Sequence, residues 1–283
     1  MSGRISPSAL LRRLLMPVSE ACLSCGRPLA SASQGELPLL CGRCADLVRW
    51  IERPRCPICG RAHGCPDCLR PEARHRAFVL NRSAAVYDTA MRRWIAEYKY
   101  GGRESFADPF SVMLERTYRR MRRELSVQEK DRARGLFYRK RNGWNADLVT
   151  WVPVSEQRLE ERGFNQAELA AKRMALRLRL PAAELLTRNV HTEKQSFKSR
   201  AERLHNLDGV FSLIPNLDPG DFKKWDLVGN SKRPGGPFPI RVLLVDDIYT
   251  TGTTAAVCAS ALQSLENVFA RPVLVYVLTL ARS

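Results

Sequence analysis

An α/β fold, with a parallel sheet flanked by helices and preceded by a small cysteine-rich module, is what the sequence predicts. Three observations carry this. Eight of the nine cysteines lie between Cys22 and Cys68. From about Ser83 onward, short β-branched and aromatic runs alternate with longer stretches of helical periodicity. The run Val242, Leu243, Leu244, Val245 has no polar alternation, as in a strand buried on both faces by crossover helices.

The elements follow in order. Residues 1–20 form a helix-like lead, 21–70 the cysteine module and 80–283 the α/β domain. In that domain AAVYD (84–88), LVTWVPV (148–154), VLLVDD (242–247) and VLVYVLTL (273–280) read as strands. Segments 89–98, 103–121, 164–178 and 253–266 place apolar residues at helical spacing. Two insertions interrupt the plan, near 122–146 and at 215–239, and both are expected to be exposed and mobile. The first overlaps a basic run, 119–141, that contains Phe137 and Tyr138. It reads either as a nucleic-acid groove with stacking aromatics or as a solvated helix followed by a basic loop.

The 283 residues carry 46 Lys+Arg against 29 Asp+Glu, a net charge of +17, with 45% hydrophobic residues. Wholesale disorder is excluded, and anionic partners are favoured, because cation clusters displace counterions from phosphate or pair with it. The early apolar run is broken by Arg12 and Arg13, and no stretch approaches the roughly 18 apolar residues that span a bilayer. Neither secretion nor membrane insertion is expected, and the location expected is cytoplasmic.

The cysteines form four CxxC pairs: Cys22/Cys25, Cys41/Cys44, Cys56/Cys59 and Cys65/Cys68. Two intervening residues let both sulfurs reach one ion from a single turn, and two turns complete a tetrahedral site. Grouping neighbours gives tandem zinc ribbons with structural, closed Zn2+ sites; interleaved grouping is the alternative. A disulfide framework competes, but no secretory signal supports it. Gly26 and Gly60 are expected at positive φ, aiming backbone N–H groups at sulfur. His63 is expected to be a bystander and Cys258 a small core residue. A segment this short and poor in apolar residues needs its metal to fold.

VLLVDDIYTTGTT (242–254) delivers two acids to the carboxyl end of a buried strand, followed by a Thr/Gly turn and a helix. Ligands bind there in open parallel sheets, and a helix N-terminus offers free N–H groups to an anion. Thr250, Thr251, Gly252, Thr253 and Thr254 suit a terminal phosphate, while Asp246 and Asp247 suit sugar hydroxyls, directly or through magnesium (Mg2+). A plain β-turn-α junction is the alternative. No GxxxxGK[ST] or GxGxxG pattern competes.

This segment resembles the phosphoribosyl pyrophosphate (PRPP) signature of the type I phosphoribosyltransferases. With YKYGGR (98–103), RGFNQAELA (162–170), the basic stretch 185–211 and the CxxC module, nearly the whole chain resembles the competence protein F (ComF) family. That resemblance implies a type I phosphoribosyltransferase-like sheet behind a double zinc ribbon. It implies catalytic positions at Asp246 and Asp247, and PRPP contacts from the 250–254 loop, Lys99, Arg162, Arg188 and Arg200. Residues 188–206 would form a hood. By spacing, Arg188, Lys194, Arg200 and Arg203 offer donors to a diphosphate, or else line the charged face of an amphipathic helix. SEQRLEE between VPV and RGFNQ is shorter and more acidic than the family's usual version, and the 215–239 insertion is unusual.

Two functions follow from the resemblance. One is Mg2+-dependent transfer of a 5-phosphoribosyl group from PRPP with release of pyrophosphate, driven by charge clamping and hood closure. The other is a non-enzymatic role in DNA uptake, binding single-stranded DNA or a helicase-like competence partner. A base-salvage enzyme is a weaker third reading, and the sequence does not specify an acceptor.

Overall fold

The computed structural model describes residues 21–29, 36–66, 68, 76–133, 143–189, 209–225, 227 and 239–283. The 1–20 lead, Phe137, Tyr138, Lys194, Arg200 and Arg203 therefore lie outside the described residues.

Helix α1 (Gly42–Ala45) lies in the cysteine module and strand β1 (Asn81–Val86) opens the sheet. Next come α2 (Thr89–Tyr100), α3 (Ala107–Ala133), β2 (Leu148–Trp151), α4 (Glu156–Arg162) and α5 (Gln166–Leu178). A hairpin of β3 (Leu186–Arg188) and β4 (Phe211–Leu213) and a short α6 (Pro219–Phe222) precede β5 (Ile240–Tyr249). The described chain closes with α7 (Thr253–Gln263), α8 (Leu265–Phe269) and β6 (Val273–Arg282).

The main sheet has the order β1-β6-β5-β2, and all its pairings are parallel. Alternate residues of β5 serve opposite faces, as the unbroken apolar run requires. Leu243 and Val245 join a core with Met113, Met121 and Met174 from α3 and α5, while Val242 and Leu244 join another with Cys258 and Leu262 of α7. Cys258 is fully buried, as its helical position predicts.

Helix α3 runs through the predicted boundary at 121 as far as Ala133. Tyr118, Met121 and Leu125 recur at helical spacing beneath the arginines, so the first part of the basic run is a packed helix with a charged outer face. Residues 143–146 are also packed: Trp144 is buried 4.8 Å from Tyr276, and the Tyr118 hydroxyl donates to Asn145 Oδ1 at 2.6 Å. The second insertion likewise departs from expectation. Its Phe222 is buried, edge-on to Phe269 at 5.2 Å, so the described part of 215–239 is partly anchored rather than wholly exposed.

The cysteine module seals one edge of the sheet. Trp50 bridges Ala85 antiparallel, with Ile51 N donating to Ala84 O at 2.9 Å and Val86 N to Arg49 O at 2.9 Å. These bonds satisfy the outer side of β1, which would otherwise be an open edge. Leu37, Leu40, Cys44 and Val48 share one apolar cluster with Trp94 and Phe110, so the module borrows its core from the α/β body. At the opposite edge, Val149 of β2 is bridged by Ala182.

Candidate functional site

Three separated segments converge at the carboxyl ends of β2 and β5. Asp246 and Asp247 lie on β5 itself, which continues past them to Tyr249. Lys99, in the last turn of α2, forms an ion pair with Asp247 Oδ2. Asp247 N donates to Asp246 Oδ1 at 2.8 Å. Burial and the neighbouring Asp247 push the Asp246 carboxyl up to about 7, while Lys99 pulls it back. Any further cation at this pair would favour its ionised form.

The turn after β5 passes through a left-handed glycine into the N-terminus of α7. Gly252 adopts φ +83° and is the N-cap residue of α7, where it supplies no side-chain cap. Thr251 and Thr253 hydroxyls meet at 2.8 Å, and Thr250, Thr251 and Thr254 are exposed. Thr253 N donates to Thr251 Oγ1 at 3.4 Å, and the positive end of the α7 dipole lies at this turn.

The RGFNQ segment meets YKYGGR through aromatic packing. Phe164 lies 5.2 Å from Tyr98, whose buried hydroxyl donates to Gln166 O at 3.0 Å. Arg162 ends α4, stacks over Tyr100 at 5.0 Å and donates to Gln166 Oε1 at 2.8 Å. Asn165 caps α5 through Ala167 N at 3.0 Å and ties back to Val152 O at 3.1 Å. Much of this motif is thus structural, holding the loop after β2 in place. Arg188 ends β3, over Phe211 at 5.7 Å, on the α7 side of the sheet.

The cysteines group consecutively, as Cys22/Cys25/Cys41/Cys44 and Cys56/Cys59/Cys65/Cys68, with the four sulfurs of each set within 4.8 Å of one another. All nine cysteines are free thiols. Tetrahedral Zn–S bonds place sulfurs about 3.8 Å apart, and Cys25 Sγ to Cys41 Sγ is 3.8 Å. Each cluster can therefore hold one such ion. Cys41 N donates to Cys22 Sγ at 3.3 Å and Cys59 N to Cys56 Sγ at 3.4 Å. Burial would raise the Cys22 thiol, but backbone N–H groups of Cys41, Cys25 and Ser24 bring it down to about 6. Gly26 and Gly60 do adopt φ +72°, yet their N–H groups go to the carbonyls of Cys22 and Cys56 rather than to sulfur. His63 is exposed and outside both clusters.

Away from the loop, an open groove of about 490 Å³ lies between the module and α3, lined by Arg116, Arg119, Arg123 and Arg177 together with Glu36 and Glu115. Arg116 is paired with Glu36 and Glu52, and Arg119 with Glu115. Arg123 and Arg177 have no ion-pair partner among the described residues.

Sequence reasoning missed three residues around the loop: Tyr249, Arg76 and Arg282. The aromatic at the end of β5, directly before the Thr/Gly turn, was the one visible signal.

The parallel sheet, its Asp-Asp strand end with a Thr/Gly turn, and two four-thiolate clusters define a type I phosphoribosyltransferase-like α/β protein with a double zinc-ribbon module. No protein-family model matches the chain. It is 26% identical to competence protein ComFC of Bacillus subtilis over 230 residues, 79% of this chain and 77% of that protein. It is 25% identical to DNA utilization protein YhgH of Escherichia coli (strain K12) over 257 residues, 88% of this chain and 92% of that protein. Competence protein F of Haemophilus influenzae is 25% identical over 250 residues, 86% of this chain and 91% of that protein. The chain is thus similar over most of its length to proteins named for competence and DNA utilization, and its two four-cysteine groups fit a double zinc ribbon. Among the described residues no helix is long and apolar enough to cross a membrane.

Proposed function

We propose that this chain is a cytoplasmic accessory protein of DNA uptake or DNA utilization, which engages single-stranded DNA or a helicase-like partner and carries a PRPP-binding site at its phosphate loop. The kinship with competence and DNA utilization proteins over most of the chain is the observation that carries this reading. The charge of +17 and the arginine-lined groove beside the zinc-ribbon module support the DNA contact. Zn2+ in the two cysteine clusters would hold that module on the edge of the sheet.

A second reading, 5-phosphoribosyl transfer, is favoured by Asp246 and Asp247 standing beside the Thr/Gly turn with Lys99 against them. In it the 250–254 amides and hydroxyls bind the 5-phosphate and the two aspartates orient the ribose hydroxyls. Lys99, Arg162, Arg188 and Arg200 stabilise the departing pyrophosphate. Mg2+, when bound, would neutralise the diphosphate. The anomeric C–O bond to pyrophosphate breaks, a nitrogen nucleophile forms the new C–N bond, and that nitrogen gives up its proton.

Two titrations of the zinc-loaded protein test these readings. Anisotropy of a labelled oligothymidine is expected to report binding that weakens steeply with salt, and Arg119→Glu/Arg123→Glu is expected to cut the affinity at least about tenfold. Salt-independent binding, or no binding, would remove the DNA-contact reading. Calorimetry with PRPP and Mg2+ is expected to give micromolar affinity, about −8 kcal/mol, and none for Asp246→Asn/Asp247→Asn. Pyrophosphate release with an added nitrogen acceptor would then separate transfer from binding alone.

A further inference from the structure

Tyr249 closes β5, and the turn is folded over its ring. A Cβ on Gly252 would lie 2.1 Å from the Tyr249 hydroxyl, so the loop backbone rests directly on that oxygen. The same hydroxyl accepts from Arg76 Nη1 at 3.2 Å, and that nitrogen also donates to Cys68 Sγ at 3.0 Å. A second arginine runs beside it. Arg282 Nη2 lies 3.7 Å from Cys59 Sγ, while Nη1 donates to the carbonyls of Tyr249 at 3.2 Å and Thr250 at 2.8 Å. Its guanidinium stacks 4.8 Å from the Tyr249 ring.

Cys59 and Cys68 belong to one cluster. Two side chains therefore each touch a sulfur of the second cysteine site at one end and the phosphate loop, or the tyrosine beneath it, at the other. A divalent ion with four thiolates carries a net charge of about −2, which charge-assisted bonds from two guanidiniums partly offset. Without the ion, that anchor for Arg76 and Arg282 weakens.

We propose that Arg76, Arg282 and Tyr249 form a strut through which metal in the second cysteine cluster holds the phosphate loop in its anion-binding shape. They are positioning residues, acting on the ligand through the loop. The proposal rests on the PRPP-site reading for its ligand, and linkage requires that the effect run both ways: PRPP bound at the loop must raise the metal affinity of Cys56/Cys59/Cys65/Cys68, which is expected to show as slower metal loss.

The test uses the full chain loaded with zinc, compared with Arg76→Gln, Tyr249→Phe and the conservative Arg76→Lys. Metal release to a chromophoric chelator is followed with and without PRPP and Mg2+. Hydrogen exchange at residues 249–255 is measured alongside. In wild type, PRPP is expected to slow release of one of the two metals about fivefold or more. Arg76→Gln and Tyr249→Phe are expected to lose this slowing and to weaken PRPP binding about tenfold, while still binding two metals per chain; Arg76→Lys recovers part of both. Unchanged affinity and unchanged slowing in folded variants would overturn the strut and leave the PRPP site standing. If wild type binds no PRPP, the PRPP reading fails separately and exchange decides the strut. Faster exchange at 249–255 on metal removal, already fast in Arg76→Gln, supports it, and exchange indifferent to metal overturns it.

Discussion

Lys99 and Asp247 meet as an ion pair across the mouth of the sheet, the ammonium coming from the last turn of α2 and the carboxylate from β5. The pair brings a cation within reach of both aspartates, and it is the point at which the α2 segment and the strand-end motif become one site. Ligand binding and acid titration are therefore expected to be linked here.

Asp246 is held near 7, above the 3.8 of a free carboxyl, by burial and by Asp247. A carboxyl raised in the folded state adds stability that is full at low pH and is lost as pH rises from about 4 to about 7. Asp246→Asn is expected to raise the melting temperature at pH 8 by roughly 2–4 °C, as for a gain of about 1 kcal/mol in a chain of this size, while abolishing PRPP binding. Lys99→Met is expected to move the Asp246 titration upward. Melting curves and carboxyl NMR across pH 5–9 check both.

Gly252→Ala places a side chain at φ +83° against the Tyr249 hydroxyl. The backbone strain alone costs about 1–3 kcal/mol. The expected outcome is a fall in denaturation midpoint together with loss of PRPP heat in calorimetry, with metal content unchanged.

Arg82, buried on β1, is paired with Glu124 of α3, its Nε donating at 2.8 Å, and also donates to Pro57 O at 3.0 Å. One guanidinium thus joins the module, sheet and helix. Glu124→Leu is expected to destabilise by about 3–5 kcal/mol by stranding a buried charge, and Arg82→Met/Glu124→Leu to recover most of the loss. Urea titration of the three proteins measures it.

Removing metal with a strong chelator is expected to lower one cooperative melting transition, not to melt a separate small unit. Leu40, Cys44 and Val48 pack in the same cluster as Trp94 and Phe110, so the module cannot unfold without exposing the body. Calorimetric scans before and after chelation would reveal two transitions if the module were independent.

Legibility in the sequence followed local physics. The β5 run, the Asp-Asp end and TTGTT were readable because burial, charge and turn chemistry fall within thirteen consecutive residues. The CxxC pairs were legible from spacing, but whether they group consecutively or interleave was open, and the fold brings them together consecutively. Helix α3 was cut short because arginines between Tyr118, Met121 and Leu125 hide the buried stripe. Trp144 and Phe222 sit in polar, glycine-bearing or proline-bearing surroundings that read as loop, and only distant partners, Tyr276 and Phe269, bury them. Arg76 and Arg282 were invisible for the same reason: each acts on residues brought close only by the finished sheet.

Strand order also dictates when this protein is able to fold. β6 is made after the other strands yet lies between β1 and β5, with Asn81 registered against Val277 and Leu244 against the same residue. Until the chain through Arg282 has left the ribosome, β1 has only the 49–51 segment beside it and no neighbour on its β6 side, and the underside of the Thr/Gly turn lacks Arg282. Assembly is expected to come late and in one step, governed by the slow search that such distant pairings impose.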